Sequence, residues 1–181
     1  MRVFTQLMMR IKEIYAIIKG TPTESPTGVF GGFTDSNYLV IERQLPTNAT
    51  EFQCEFTMQS TIPTSGTQTI FMCGLFSLTL YSKAISMYSG GYKNIIPSSD
   101  VVADSNYVVK CVINGKSLSF SYSKDGGAFV SSLSITTTNN YSATMLFGKS
   151  TSSGRSFKGT VNVANTYIKI GDKYWYNGLY K

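Results

Sequence analysis

From Val29 onward, apolar residues recur at every second position in short runs broken by glycine, asparagine and aspartate. That rhythm fits antiparallel sheet and little else. The clearest run sets Phe52, Cys54, Phe56 and Met58 against Gln53, Glu55, Thr57 and Gln59, which predicts a strand with one buried face. Further runs fall at 38–41, 69–72, 76–81, 84–88, 107–113, 118–122, 142–147, 157–163 and 167–170. The turns between them carry their own chemistry. Ser89-Gly90-Gly91, Lys124-Asp125-Gly126-Gly127 and Gly171-Asp172 are turn signals. Asn114-Gly115, between two apolar runs, is the strongest short hairpin cue. About a dozen short strands so closely spaced predict a mainly β fold, an antiparallel β-sandwich or jelly roll, over residues 29–181.

The sequence before Val29 follows a different period. Phe4, Leu7, Ile11, Ile14 and Ile18 alternate spacings of three and four, the a/d seam of a heptad. This predicts a short helix over residues 3–19. An isolated helix of that length is marginal in water, so it must pack on copies of itself or on its own domain. Isoleucine at both seam positions favours three strands, hence a homotrimer with the helix as oligomerisation or anchoring element. A plain amphipathic helix docked on the sandwich is the alternative. Residues 20–28 hold two prolines and two glycines and read as a linker. The expected organisation is therefore helix 1–19, linker 20–28 and sandwich 29–181.

Composition narrows the function. The 181 residues include no histidine, which removes Ser-His-Asp and Cys-His catalysis and imidazole metal ligation. Glycoside hydrolysis needs two carboxylates about 5–9.5 Å apart. The nearest pair on one strand face is Glu51 and Glu55, read as two solvated side chains. For calcium, Asp100 and Asp104 are the best pair, while Asp125 and Asp172 sit on tight turns that use Asp for themselves. The three cysteines share no metal-ligand spacing and lie in apolar runs, so free buried thiols formed in a reducing cytoplasm are expected. The formal charge of +6 is spread over separated lysines such as Lys93, Lys110, Lys116, Lys124 and Lys149, which gives no nucleic-acid arm. No run approaches the ~20 apolar residues of a membrane span, and Arg10, Lys12 and Glu13 interrupt any signal-peptide core. These features point to a binding or structural protein without cofactor or metal rather than an enzyme.

Two stretches carry a resemblance. Residues 106–127, strand, Asn114-Gly115 turn, strand and Asp125-Gly126-Gly127 turn, look like the central hairpin of laminin-G/concanavalin-like lectin sandwiches. The run Ala143 to Lys149, followed by Phe157-Lys158-Gly159-Thr160-Val161, is similar to the closing strands of that fold. Residues 163–178, with Tyr167-Ile168-Lys169-Ile170 and Tyr174-Trp175-Tyr176, resemble the ending of lectin-like domains in bacteriophage structural proteins. The resemblance implies a virion component, a fibre, tail or capsid-surface protein assembled in the host cytoplasm, whose lectin-like domain meets other virion proteins or a host surface. Gly159 is expected either to let two backbones approach closely or to permit a bulge. The aromatic ending either closes the base of the core or offers a sugar platform. A glycan-binding role would fall on Tyr88, Tyr92 and Asn94, which join aromatic faces to an amide, although a glycine-rich turn with solvated tyrosines is the plainer reading of the same residues.

Overall fold

The computed structural model describes residues 14–19, 23–24, 28–140 and 143–180. Among these, fifteen strands form two antiparallel sheets. The seven-stranded sheet runs in the order β1 (Ile17–Lys19), β4 (Tyr38–Gln44), β13 (Thr144–Phe147), β6 (Thr67–Met72), β7 (Ser77–Tyr81), β8 (Ala84–Tyr88) and β9 (Tyr92–Ile96). The eight-stranded sheet runs β12 (Val130–Thr136), β11 (Ser117–Lys124), β10 (Asn106–Asn114), β5 (Glu51–Thr57), β14 (Thr160–Ile170), β3 (Val29–Gly31) and β2 (Thr23–Glu24). The eighth strand, β15 (Lys173–Tyr176), pairs with the far end of β14.

The period-two pattern explains the packing. On β5, Phe52, Cys54 and Phe56 point inward and are fully buried. Tyr107, Val109, Cys111 and Ile113 do the same on the neighbouring β10. The sheets meet through aromatic rings: Phe52 stacks on Phe71 of β6 with centroids 4.5 Å apart, and Phe76 stands edge-on to Phe52 at 5.5 Å. The β10–β11 hairpin closes as the Asn-Gly cue implies. Asn114 pairs with Ser117, and Gly115 takes the positive φ of 58° that a two-residue turn requires there.

The helix expected over residues 3–19 is not what the structure shows where it describes that segment. Ala16 bridges Tyr180, its N–H donating to the Leu179 carbonyl at 2.8 Å, and β1 pairs with β4 with Ile18 opposite Leu39. Ile14 and Ile18 are half-buried against their own domain's core. An isoleucine-rich run suits a strand as readily as a helix, and the open edge of β4 supplies backbone partners that an isolated helix lacks. Phe4, Leu7 and Ile11 lie outside the described residues. Within the expected linker, Thr23–Glu24 forms β2 against β3.

Two other local readings change. The runs at 157–163 and 167–170 merge into the single strand β14, whose register against β5 shifts between Asn162 and Tyr167. Strand β12 was missed: on this edge strand only Leu133 and Ile135 alternate inward, and they are only partly buried against the core. Of the aromatic ending, Tyr176 closes the core, Trp175 packs partly against it, and Tyr174 is 58% exposed. At Gly159 the structure shows the close approach: a Cβ there would lie 2.1 Å from the Thr57 carbonyl oxygen.

Cys54, Cys73 and Cys111 are buried free thiols. Burial pushes Cys54 and Cys73 from the ordinary 9.0 up to about 12, and raises Cys111 well above 9.0. The thiolate is the reactive form, so the folded protein should resist a thiol reagent at pH 8 that labels three groups after denaturation. Unfolded thiols ionise near 9.0 while the folded ones hold their protons to about 12. Their contribution to stability is thus complete below pH 9 and lost as pH rises towards 12, which urea titrations across that range measure.

Candidate functional site

The outward face of the seven-stranded sheet is polar yet partly buried. Register places Thr69 on β6, Thr79 on β7, Ser86 on β8 and Asn94 on β9 in one row across four strands. Thr69, Thr79 and Ser86 are nonetheless almost inaccessible. Two of these hydroxyls have local partners: Thr79 Oγ1 donates to the Ser86 carbonyl at 3.2 Å, and Ser86 Oγ to Asn94 Oδ1 at 2.9 Å. A buried row of hydroxyls on an outer sheet face means that something covers it.

One cover is tyrosine. The next row places Ser77, Tyr88 and Tyr92 side by side. Tyr92 reaches back across the face, its hydroxyl 3.0 Å from Thr67 Oγ1 on β6 and its ring stacked on Tyr81 at 3.7 Å and 3°. On a flat sheet, β9 and β6 would stand three strand spacings apart, about 14 Å. A tyrosine and a threonine cannot bridge that together, so the sheet curls towards this face. Tyr88 lies at 55° to Tyr92 with centroids 4.9 Å apart, and is 43% exposed.

The second cover is the loop of residues 149–156. Gly148 N–H donates to the Ile70 carbonyl at 2.9 Å, Thr69 N–H to the Arg155 carbonyl at 2.8 Å, and Phe157 N–H to the Gly148 carbonyl at 2.9 Å. These bonds close the loop at its neck. Its tip is held from the other side, where Gly154 N–H donates to the Asp35 carboxylate at 3.1–3.2 Å and Lys149 Nζ to the Asp35 carbonyl at 2.8 Å. Between loop and tyrosines lies a groove of about 260 Å³. Among the described residues its lining is threonine, serine and tyrosine with Met72 and Arg155, and no carboxylate contributes.

Of the residues expected to bind glycan, Tyr88 and Tyr92 line this groove, while Asn94 is committed to Ser86. Sequence reasoning missed Thr67, Tyr81 and the hydroxyl row, although Thr67/Thr69, Ser77/Thr79/Tyr81 and Ser86/Tyr88 alternate visibly. Arg155 had no local signal.

The carboxylates lie elsewhere. Glu51 and Glu55 share the outward face of β5 in the other sheet, where both are engaged by neighbours. Glu51 accepts from the Tyr167 hydroxyl and pairs with Lys169 Nζ at 3.4 Å. Glu55 accepts from Asn106 Nδ2 at 3.0 Å and Asn165 Nδ2 at 2.7 Å. The Glu51 contact, together with burial as the larger cause, raises the Tyr167 hydroxyl above its ordinary value. Asp100 takes hydrogen bonds from Ser99 Oγ and Tyr122, while Asp125 accepts the Asn106 N–H at 2.8 Å. Among the described residues, no three histidine, cysteine or acidic side chains converge as a metal site would require, and no helix is long and apolar enough to cross a membrane.

No family model and no curated protein matches the sequence. Solved structures do match the fold. The chain is similar to bacteriophage CBA120 tailspike protein 2, enzymatically active domain, at TM-score 0.64 and 10% identity, over 94% of this chain and 31% of that one. Mouse laminin α1 domains LG4-5 match at TM-score 0.50 and 13% identity, over 90% of this chain and 46% of that one. The catalytic domain of a glycoside hydrolase family 131 protein from Coprinopsis cinerea matches at TM-score 0.46 and 13% identity, over 78% and 66%, too slight a likeness to bear on chemistry. The chain thus spans under a third of the tailspike chain and under half of the laminin chain. At these identities the likeness is one of fold, and it agrees with the laminin-G-like sandwich that the closing strands resemble.

Proposed function

We propose that this chain is a non-catalytic, lectin-like component of a virion surface, serving attachment or assembly by holding a saccharide in the groove of the seven-stranded sheet. The observation that carries the reading is the groove itself. It is a curved sheet face floored by hydroxyls, flanked by tyrosine rings and closed by a pinned serine-rich loop. Pyranose rings present C–H faces that pack on aromatic rings and hydroxyls that exchange hydrogen bonds with Ser and Thr. The fold likeness to a bacteriophage tailspike chain supports the virion setting. Binding rather than cleavage is supported by the lining, which offers no carboxylate where hydrolysis needs two.

Tyr88 is the exposed ring of the pair, so Tyr88→Ala should weaken saccharide binding by about tenfold while leaving the melting temperature almost unchanged. A glycan array followed by calorimetry on its best ligand measures both. An array without any saccharide preference would sink the reading, and product formation from a bound oligosaccharide would replace it with an enzyme. Association into a homo-oligomer, a trimer by the sequence reading, belongs to the same proposal, and light scattering gives the mass that decides it.

A further inference from the structure

Among the described residues, Arg155 is the only charged side chain in the groove lining, and its guanidinium has no hydrogen-bond or ion-pair partner. Asp35, the acid bonded to the neighbouring Gly154, spends its carboxylate on that residue's N–H and so anchors the loop instead. The backbone of Arg155 is fixed. Its carbonyl accepts the Thr69 N–H at 2.8 Å, the following Ser156 is bridged to Thr69 and buried, and Phe157 beyond it is in the core. The loop therefore fixes the backbone of one arginine beside a floor of uncharged hydroxyls, with its side chain exposed to an incoming ligand.

Resting on the saccharide reading of this groove, we infer that the ligand is an acidic saccharide whose carboxylate is held by Arg155. A guanidinium presents a planar fork of N–H donors that matches a carboxylate bidentately, which a hydroxyl cannot return. A lining without acids leaves nothing to repel an anion, and the chain's formal charge of +6 favours its approach. Ser77, the loop hydroxyls of Ser150, Thr151 and Ser152, and Tyr88 would then read the sugar ring, and Arg155 its charge.

The test uses the full chain and matched ligands that differ at the carboxyl group alone. These are oligogalacturonate with its methyl ester, and a hyaluronan oligosaccharide with its carboxyl-reduced form. A carrageenan oligosaccharide, sulfated but without carboxylate, is the third arm. The acid of each pair should bind about tenfold or more tightly than its neutral partner, with a margin that shrinks as salt rises. Arg155→Gln should bring the two members of a pair to the same affinity, and Arg155→Lys should restore part of the difference. Equal affinity within both pairs in the wild-type chain overturns the inference and leaves the saccharide reading standing. An acid preference that survives Arg155→Gln, or stronger binding of carrageenan than of either acid, also overturns it. Binding to no member of the set overturns the inference, and a blank result on the wider array would remove the saccharide reading as well.

Discussion

Gly148→Ala is expected to lower stability by about 2–6 kcal/mol and the melting temperature by about 4–24 °C. Gly148 leads into the loop that walls the groove and has φ +78°, in the left-handed region that a side chain enters at a penalty of about 1–3 kcal/mol. Space adds to conformation. A Cβ at this position would lie 2.2 Å from two ring carbons of Phe33, which is itself buried in the core and cannot withdraw into solvent. Forcing extra atoms into a filled interior costs about 1–3 kcal/mol more. Gly154 supplies the control. It has a similar φ of +71° at the loop tip, but nothing lies within 4 Å of its added Cβ. Gly154→Ala should therefore cost only the backbone strain, about 1–2 kcal/mol. Urea unfolding of both variants separates the two contributions, and equal losses would mean that the Phe33 contact does not constrain the turn. Because Gly148 holds the neck through Ile70 and Phe157, the alanine variant should also lose saccharide affinity.

Phe52→Ala should be comparably severe, at about 3–5 kcal/mol. Phe52 stands at the junction of the sheets. It stacks on Phe71 at 24°, meets Phe76 at 70°, and connects through Phe71 to Phe147 at 4.9 Å. Truncation removes the apolar transfer of a fully buried ring and leaves a cavity walled by residues of both sheets, which cannot close without moving strands. Phe52→Leu keeps most of the volume and should cost about 1–2 kcal/mol. Val112, 57% exposed on the opposite face of adjacent β10, gives the contrast: Val112→Ala should change stability by less than about 0.5 kcal/mol. Chemical denaturation ranks the three, and a Phe52→Ala loss under about 1 kcal/mol would contradict the packing.

The groove shows how far sequence reasoning reaches. Tyr88 and Tyr92 were legible because they flank a glycine turn, which places them opposite one another on a hairpin. Asn94 stood equally close in sequence, yet its side chain went to Ser86. Period two puts both residues on one face without saying whether they bond to each other or to a ligand. Tyr81 and Thr67 were visible as outward positions on their strands. Their meeting with Tyr92 depends on the curl of four strands, which no single strand encodes.

The N-terminal segment marks the same boundary from the other side. Ile14 and Ile18 satisfy a heptad spacing, and the described backbone there is extended instead, since the edge of β4 completes the hydrogen bonds of β1. Taken alone, the sequence determined the two-sheet β fold, the inward faces of β5 and β10, the Asn-Gly hairpin and the buried thiols. Each is set by backbone geometry over a few residues, where side-chain alternation and glycine's freedom leave one solution. The tertiary structure alone decided that the Arg155 carbonyl accepts the Thr69 N–H, that Tyr92 reaches across the hydroxyl row to Thr67, and that residues 17–19 join a sheet. Those pairings close loops of twenty to ninety residues at little extra entropy for any one choice, so they are chosen by the collective burial of the whole sandwich.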